Sequence, residues 1–282
     1  MIIRILLVLS YIALCIRLWV KPWYYFRLNA PYFNENKGLF SKLDIDRVIP
    51  KAWRLPQWVD DGVVEPQNYP VFIKPEWGQN SQGILRADDA QQLKLLREQR
   101  DVSGMRYLVQ EAARGNIEFE IFTIADAHDF KKLAVLSVTQ VSNMSEDNYP
   151  INGIYNTDTS YNDVTPNLTD EQIEKITEYA TSIGQFRISR IGVRANSIED
   201  LVAGDFQVIE INLFVPMPLV LLSQHRRFID NVRFVFKAMT ALVKVTKTIP
   251  KDQPHKAIFF KKLGLMRQTK NIEDNEVGNE SH

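Results

Sequence analysis

Two runs of residues, 118–125 and 133–139, constrain this chain most. Each alternates or runs apolar in the manner of a β-strand, and only a short polar stretch separates them. Strands joined so closely pair as antiparallel neighbours, because a parallel crossover needs a dozen or more residues. Further strand-like runs stand at 71–74, 107–111, 187–195 and 206–212, with helical patterns between them. This mixture predicts an α+β fold and not a doubly wound parallel sheet. A helix is expected behind Thr169, where Thr169 and Gln172 form a capping box and Ile173, Ile176, Ala180 and Ile183 give one apolar face. Residues 219–247 read as a long amphipathic helix, with Phe228, Val232, Val235, Met239 and Leu242 inward. Between these, 141–168 reads as a long polar loop.

The chain has 282 residues, 45% apolar and 24% charged, which fits a globular protein and excludes a disordered or collagenous one. Its single cysteine, Cys15, rules out an internal disulfide. The formal net charge of zero hides a segregation: basic ends flank a middle, residues 55–223, in which acids outnumber bases twenty-five to thirteen. That acidic middle argues against nucleic acid as a partner. The basic stretch after residue 223 could lie against an anionic membrane surface, or be the solvated side of a packed helix. At the other end, residues 5–16 carry only Ser10 as a plainly polar group, and Trp19, Trp23, Tyr24 and Tyr25 follow like an interfacial belt. A membrane anchor over residues 1–25 is the expectation, with Arg17, Lys21 and Arg27 holding the main domain on the cytoplasmic side. A signal peptide and an apolar helix packed on its own domain are the competitors.

Several polar groups suggest chemistry. In the strand at 206–212, Glu210 and Asn212 are two apart and share a face, offering hard oxygen ligands suited to Mg²⁺. Lys74 ends a strand and precedes a polar loop, 78–83, that contains Gly78, Ser81 and Gly83. Such a loop can cradle phosphate on backbone N–H groups while the lysine neutralises it, although it lacks the P-loop order. Residues 110–118 join two strands and can offer backbone groups to an adenine edge, with Glu118 placed to accept from ribose hydroxyls. Taken singly, each of these also reads as a solvated surface group.

Together and in this order, Lys37, Lys74 with its loop, Glu111, Glu118, Arg190 and the 210–212 strand resemble the ATP-grasp superfamily, most nearly its D-alanine–D-alanine-ligase-like, carboxylate–amine ligase branch. The resemblance spans about residues 36–222. It implies two α+β subdomains gripping ATP, at 26–110 and 111–222, followed by a basic helical region at 223–262 and a polar tail at 263–282. By resemblance, Lys37 and Lys74 touch phosphate and 78–83 closes over it. Glu111, Ala112 and Arg114 form the hinge beside adenine, and Glu118 binds ribose. Arg190 lies near the γ-phosphate, and Glu210 and Asn212 ligate Mg²⁺. The implied activity is an ATP-dependent ligase joining a carboxylate to an amine through an acyl phosphate, on small-molecule or lipid-linked substrates, with Arg190 and Lys74 catalytic.

Three departures accompany the resemblance. The acid expected two residues after the arginine is Gly192, which removes one anionic metal ligand. Residues 213–218 lack the small-residue turn of D-alanine ligases, and the usual N-terminal Rossmann-like domain is missing, with the apolar N-terminal helix in its place. D-alanine is therefore not the expected substrate. A kinase of the same fold acting on a hydroxyl, or an ATP-binding membrane module without catalysis, are the alternatives. The loop residues Asn152, Tyr155, Asn156, Asp158 and Tyr161 are expected to wall the acceptor site.

Overall fold

A computed structural model describes residues 2–78, 81, 83–99, 106–145, 147–253, 256 and 258. Gln79, Asn80 and Gln82 of the 78–83 loop, Lys261, Lys262 and the 263–282 tail lie outside the described residues.

Two antiparallel sheets form the frame. The smaller has four strands in the order β1 (Gln57–Val59), β4 (Tyr107–Glu111), β2 (Val71–Pro75) and β3 (Leu85–Ala87). Its outer face packs on helix α3 (Ala90–Gln99), with Val71, Ile73, Leu93 and Val109 buried between them. Since alternate residues of a strand point to opposite faces, burying Val71 and Ile73 on that side turns Phe72 and Lys74 toward the other sheet.

The larger sheet has five strands in the order β7 (Thr159–Asp163), β6 (Leu133–Asn143), β5 (Ile117–Ala125), β8 (Ile188–Ala195) and β9 (Gln207–Asn212). One face carries Phe119, Ile121, Val138, Ile191, Val193 and Ile211 into a core shared with helices α2 (Lys42–Asp46), α4 (Asp170–Ile183) and α5 (Ile198–Ala203). The capping box at the start of α4 forms as expected, with both reciprocal bonds between Thr169 and Gln172. The opposite face is split along its length. At one end Phe122, Ile124, Val135 and Ile188 are covered by helices α1 (Ile2–Arg17) and α6 (Phe228–Lys247). At the other end the same face is polar and meets the smaller sheet. That split places the cleft.

The N-terminal apolar stretch forms α1, but not as an anchor. Its sixteen residues reach about 24 Å, short of a ~30 Å hydrocarbon core. Tyr11 and Cys15 are buried in the core that α6 also lines, while Val8, Leu9 and Ile16 stay on its exposed outer side. Among the described residues no helix is long and apolar enough to cross a membrane. The expected anchor, and the membrane localisation built on it, are overturned by this packing. In α6, Val235, Ala238, Met239, Leu242 and Val243 are buried. The helix begins at Phe228 and not at Leu219, and Phe228, expected inward, is exposed. Residues Leu219–Leu222 form a separate 3₁₀ turn. The loop expected over 141–168 is shorter than read, because β6 continues to Asn143 and β7 occupies Thr159–Asp163.

Candidate active site

The cleft between the sheets holds a cavity of about 120 Å³ lined by four acids and four bases: Glu111, Glu118, Glu120, Glu210, Lys42, Lys74, Arg190 and Arg194. Strand periodicity brings them together. Glu118 and Glu120 alternate with Phe119 and Ile121 on β5, Arg190 and Arg194 with Ile191 and Val193 on β8, and Glu210 with Ile211 on β9. The apolar partners dock on the helices, so the charged ones must face the cleft.

Lys74 spans the two sheets. Its Nζ donates to Gln110 Oε1 at 2.9 Å and to the carbonyl of Ile209, on β9, at 3.2 Å. Burial, and then the nearby Lys42 charge, push it down to about 7. Lys42 opens α2, donates to the Pro75 carbonyl at 3.1 Å and lies 3.8 Å from Glu210 Oε1. Burial lowers its pKa too, and Glu210 opposes that shift. For Glu210 burial acts upward, yet Lys42, Arg190 and Lys74 together hold the carboxyl below its ordinary range. Glu120 is pushed up to about 7 by burial, against the pull of Arg190, whose Nε is 3.2 Å from Glu120 Oε2.

The residues expected from sequence divide. Lys74, Ser81, Glu111, Glu118, Arg190 and Glu210 line the cavity. Gly78 and Asn212 line a smaller adjoining pocket together with Lys42 and Glu210, and Asn212 Oδ1 accepts from the Phe214 N–H at 3.1 Å. Lys37 does not line the cavity. Its Nζ donates to Glu76 Oε1 at 2.7 Å and to Ser41 Oγ at 3.2 Å, and Lys42, five residues on, takes the position facing Glu210. Gly83, Ala112 and Arg114 are also outside the lining. The N–H of Ala112 donates to the Pro70 carbonyl and that of Arg114 to Gln207 Oε1, so these two donors are already engaged. The Glu111 carboxylate accepts from the Gln67 N–H and Asn68 Nδ2, which leaves it holding the connector between β1 and β2.

Residues 147–158 lie across the cleft mouth. Asn152 Nδ2 donates to Glu118 Oε2 at 2.9 Å, and its carbonyl accepts from Ser81 Oγ at 2.5 Å. Arg86 of β3 pairs with Asp147 and donates to the Tyr149 carbonyl, while Arg194 donates to that of Asn148. Of the residues expected to wall an acceptor site, Asn152 and Tyr161 line the cavity, whereas Tyr155, Asn156 and Asp158 face solvent. Sequence reasoning missed Lys42, Glu120 and Arg194. Glu120 and Arg194 could have been found by the two-residue spacing that links them to Glu118 and, through Gly192, to Arg190.

The sequence matches no family model and no curated protein. Solved structures do resemble the fold. A VanG D-Ala:D-Ser ligase from Enterococcus faecalis is 18% identical, with a TM-score of 0.49 over 73% of this chain and 61% of its own. A D-alanine–D-alanine ligase from Bacillus anthracis is 15% identical, with a TM-score of 0.49 over 73% of this chain and 68% of its own. An L-amino acid ligase from Bacillus licheniformis is 18% identical, with a TM-score of 0.45 over 72% and 47%. The chain thus spans about three fifths of the first of these structures and less than half of the third.

Proposed function

We propose that the chain is an ATP-grasp enzyme that uses ATP and Mg²⁺ to join a small-molecule carboxylate to an amine. One observation carries the reading: Lys42, Lys74 and Arg190 converge from three different elements on one buried cleft that also presents Glu118 and Glu210. A surface that only needed solubility would not desolvate three cations, each of which costs several kcal/mol in isolation. Glu210 and Glu120 already face Lys42 and Arg190, so the cleft is built to exchange those carboxylates for the oxygens of a triphosphate that enters with a divalent cation.

In this reading Lys42 and Lys74 hold the phosphates, Gln110 and the Glu111 edge border the base, and Glu118 binds ribose. The residues fit a divalent cation: Glu210 is kept ionised by its cationic neighbours, and Asn212 adds an amide oxygen on the same strand face. Bound there, Mg²⁺ would neutralise charge on the transferring phosphoryl group. Arg190 would steady the same charge from β8. The substrate carboxylate attacks the γ-phosphorus, ADP leaves, and the amine then attacks the acyl phosphate carbon, expelling phosphate and giving up a proton. No protein nucleophile is needed, which agrees with Cys15, the single cysteine, being buried in the core between α1 and α6. A cavity of 120 Å³ is below the usual ligand range, so Asn152 and its segment must yield for a nucleotide to enter.

The test is Mg²⁺-dependent thermal stabilisation of the full chain by ADP or ATP, with Lys74→Ala and Glu210→Ala in parallel. At a hundredfold excess over Kd a bound nucleotide stabilises by about 2.7 kcal/mol. A shift lost in both variants supports the site, and hydroxylamine trapping then separates an acyl phosphate from a stable phosphoester. No shift in folded wild-type protein refutes the reading.

A further inference from the structure

We propose that Glu120 is a ligand of the nucleotide's divalent cation, sharing it with Glu210 across the gap left by Gly192. The proposal rests on the ATP-dependent reading above and deepens it, by assigning a second carboxylate in place of the acid that Gly192 does not supply.

Strand register makes the arrangement. In β5, Glu120 stands opposite Gly192 of β8, and Gly192 in turn stands opposite Glu210 of β9. Directly opposed residues of antiparallel strands share a face, so the two acids flank the glycine in one row on the cleft side of the sheet. Both line the same cavity. The glycine between them carries no side chain, and Glu120 and Ile209 close over it: a Cβ built on Gly192 would sit 3.3 Å from Glu120 Oε1 and 3.3 Å from Ile209 Cγ1. The carboxylate therefore reaches along the row toward Glu210.

A second observation points to a ligand. Glu120 is more than nine-tenths buried, and its Oε2 makes no hydrogen bond; what it has is the ion pair to Arg190 Nε at 3.2 Å. A buried carboxylate oxygen with an open lone pair is costly unless something else binds it. Among the described residues no cluster of three or more His, Cys, Asp or Glu could hold a metal by itself. Mg²⁺ held with a nucleotide needs no more than one or two carboxylates, because phosphate oxygens and water complete its shell.

The competing role for Glu120 is simply to hold Arg190. Mn²⁺ binding separates the two. The full chain with saturating ADP is titrated with Mn²⁺, and free and bound metal are read by electron paramagnetic resonance in wild type, E120Q, E120A and E120A/G192D. The expected result is at least tenfold weaker Mn²⁺ binding in E120Q and E120A, with most of the loss recovered in E120A/G192D. In that double variant an aspartate enters from the middle strand into room that Glu120 no longer fills. G192D alone crowds Glu120 and should lose stability, a non-additivity that a thermal melt records. Wild-type Mn²⁺ affinity in E120Q, or no recovery in the double variant, overturns the proposal and leaves Glu120 as the partner of Arg190. If wild-type protein binds no ADP at all, the nucleotide reading falls first and takes this assignment with it.

Discussion

Replacing Lys74 with methionine tests whether the cleft stores unfavourable charge. The side chain is 5% exposed, and burial lowers its pKa from 10.5 to about 7. A folded-state pKa below the unfolded one means that, between about pH 7 and 10.5, the unfolded chain binds the proton and the folded chain does not. Stability from this group therefore rises with pH across that window and is lowest below pH 7. A displacement of this size corresponds to about 4–5 kcal/mol at pH 6 and about 1 kcal/mol at pH 9.5. Lys74→Met abolishes that term. It also orphans Gln110 Oε1 and the Ile209 carbonyl, a loss of about 1–3 kcal/mol each that does not depend on pH. The absolute stability change is thus a small difference, but its pH dependence is not. Relative to wild type, the variant should be about 3 kcal/mol better off at pH 6 than at pH 9.5, measured by chemical denaturation at both values. A stability difference that is the same at both pH values would refute the claim that Lys74 is a desolvated cation held ready for phosphate.

Gly115 should tolerate no side chain. Its φ is +96°, and a Cβ there would lie 2.6 Å from the Ala195 carbonyl carbon, so Gly115→Ala should lose about 3 kcal/mol or more in a thermal melt. A loss under about 1 kcal/mol would show that the turn into β5 can relax away from β8. Asn152→Ala frees Glu118 and loosens the tie to Asn143. The variant should be cleaved faster within 147–158 by a dilute protease and should bind ADP several-fold more tightly. Unchanged ADP affinity with faster cleavage would place the segment outside the nucleotide's path.

What could be read from sequence was whatever depends on period and local caps. Strand β5 declares its two faces through Glu118 and Glu120 against Phe119 and Ile121, and α4 declares its start through Thr169 and Gln172. Those signals are local, and they held. Strand β7 was missed because Thr159–Asp163 is polar apart from Tyr161 and pairs only through β6. Lys37, expected at the phosphates, and Lys42 are equally plausible by charge, and it is Lys42, at the start of α2 behind the Ser41 cap, that faces Glu210. The apolar face of α1 reads alike whether lipid or α6 covers it, and nothing in the sequence pairs the two helices. Spacing places Glu120 on the cleft face beside Glu118, but its role toward a metal lay beyond reach for a different reason. Its meaning comes from standing opposite Gly192, seventy-two residues away, and register between distant strands is not written in either strand alone.

The charge pattern of the cleft has a consequence for how it can be filled. Four acids and four bases line it, so it is formally neutral before any ligand enters. Each base there is already engaged: Lys42 lies against Glu210, Arg190 against Glu120, Lys74 donates to Gln110, and Arg194 to the Asn148 carbonyl. A triphosphate alone would win those cations only by releasing Glu120 and Glu210 as buried, unpaired carboxylates, a change that costs several kcal/mol for each acid. In the proposed site a divalent cation entering with it would take both carboxylates as the phosphates took Lys42 and Arg190, and every charge would then keep a partner. Nucleotide and metal therefore belong to one binding event in this cleft. The same pairing that stabilises the empty cleft makes it discriminate against nucleotide that arrives without metal.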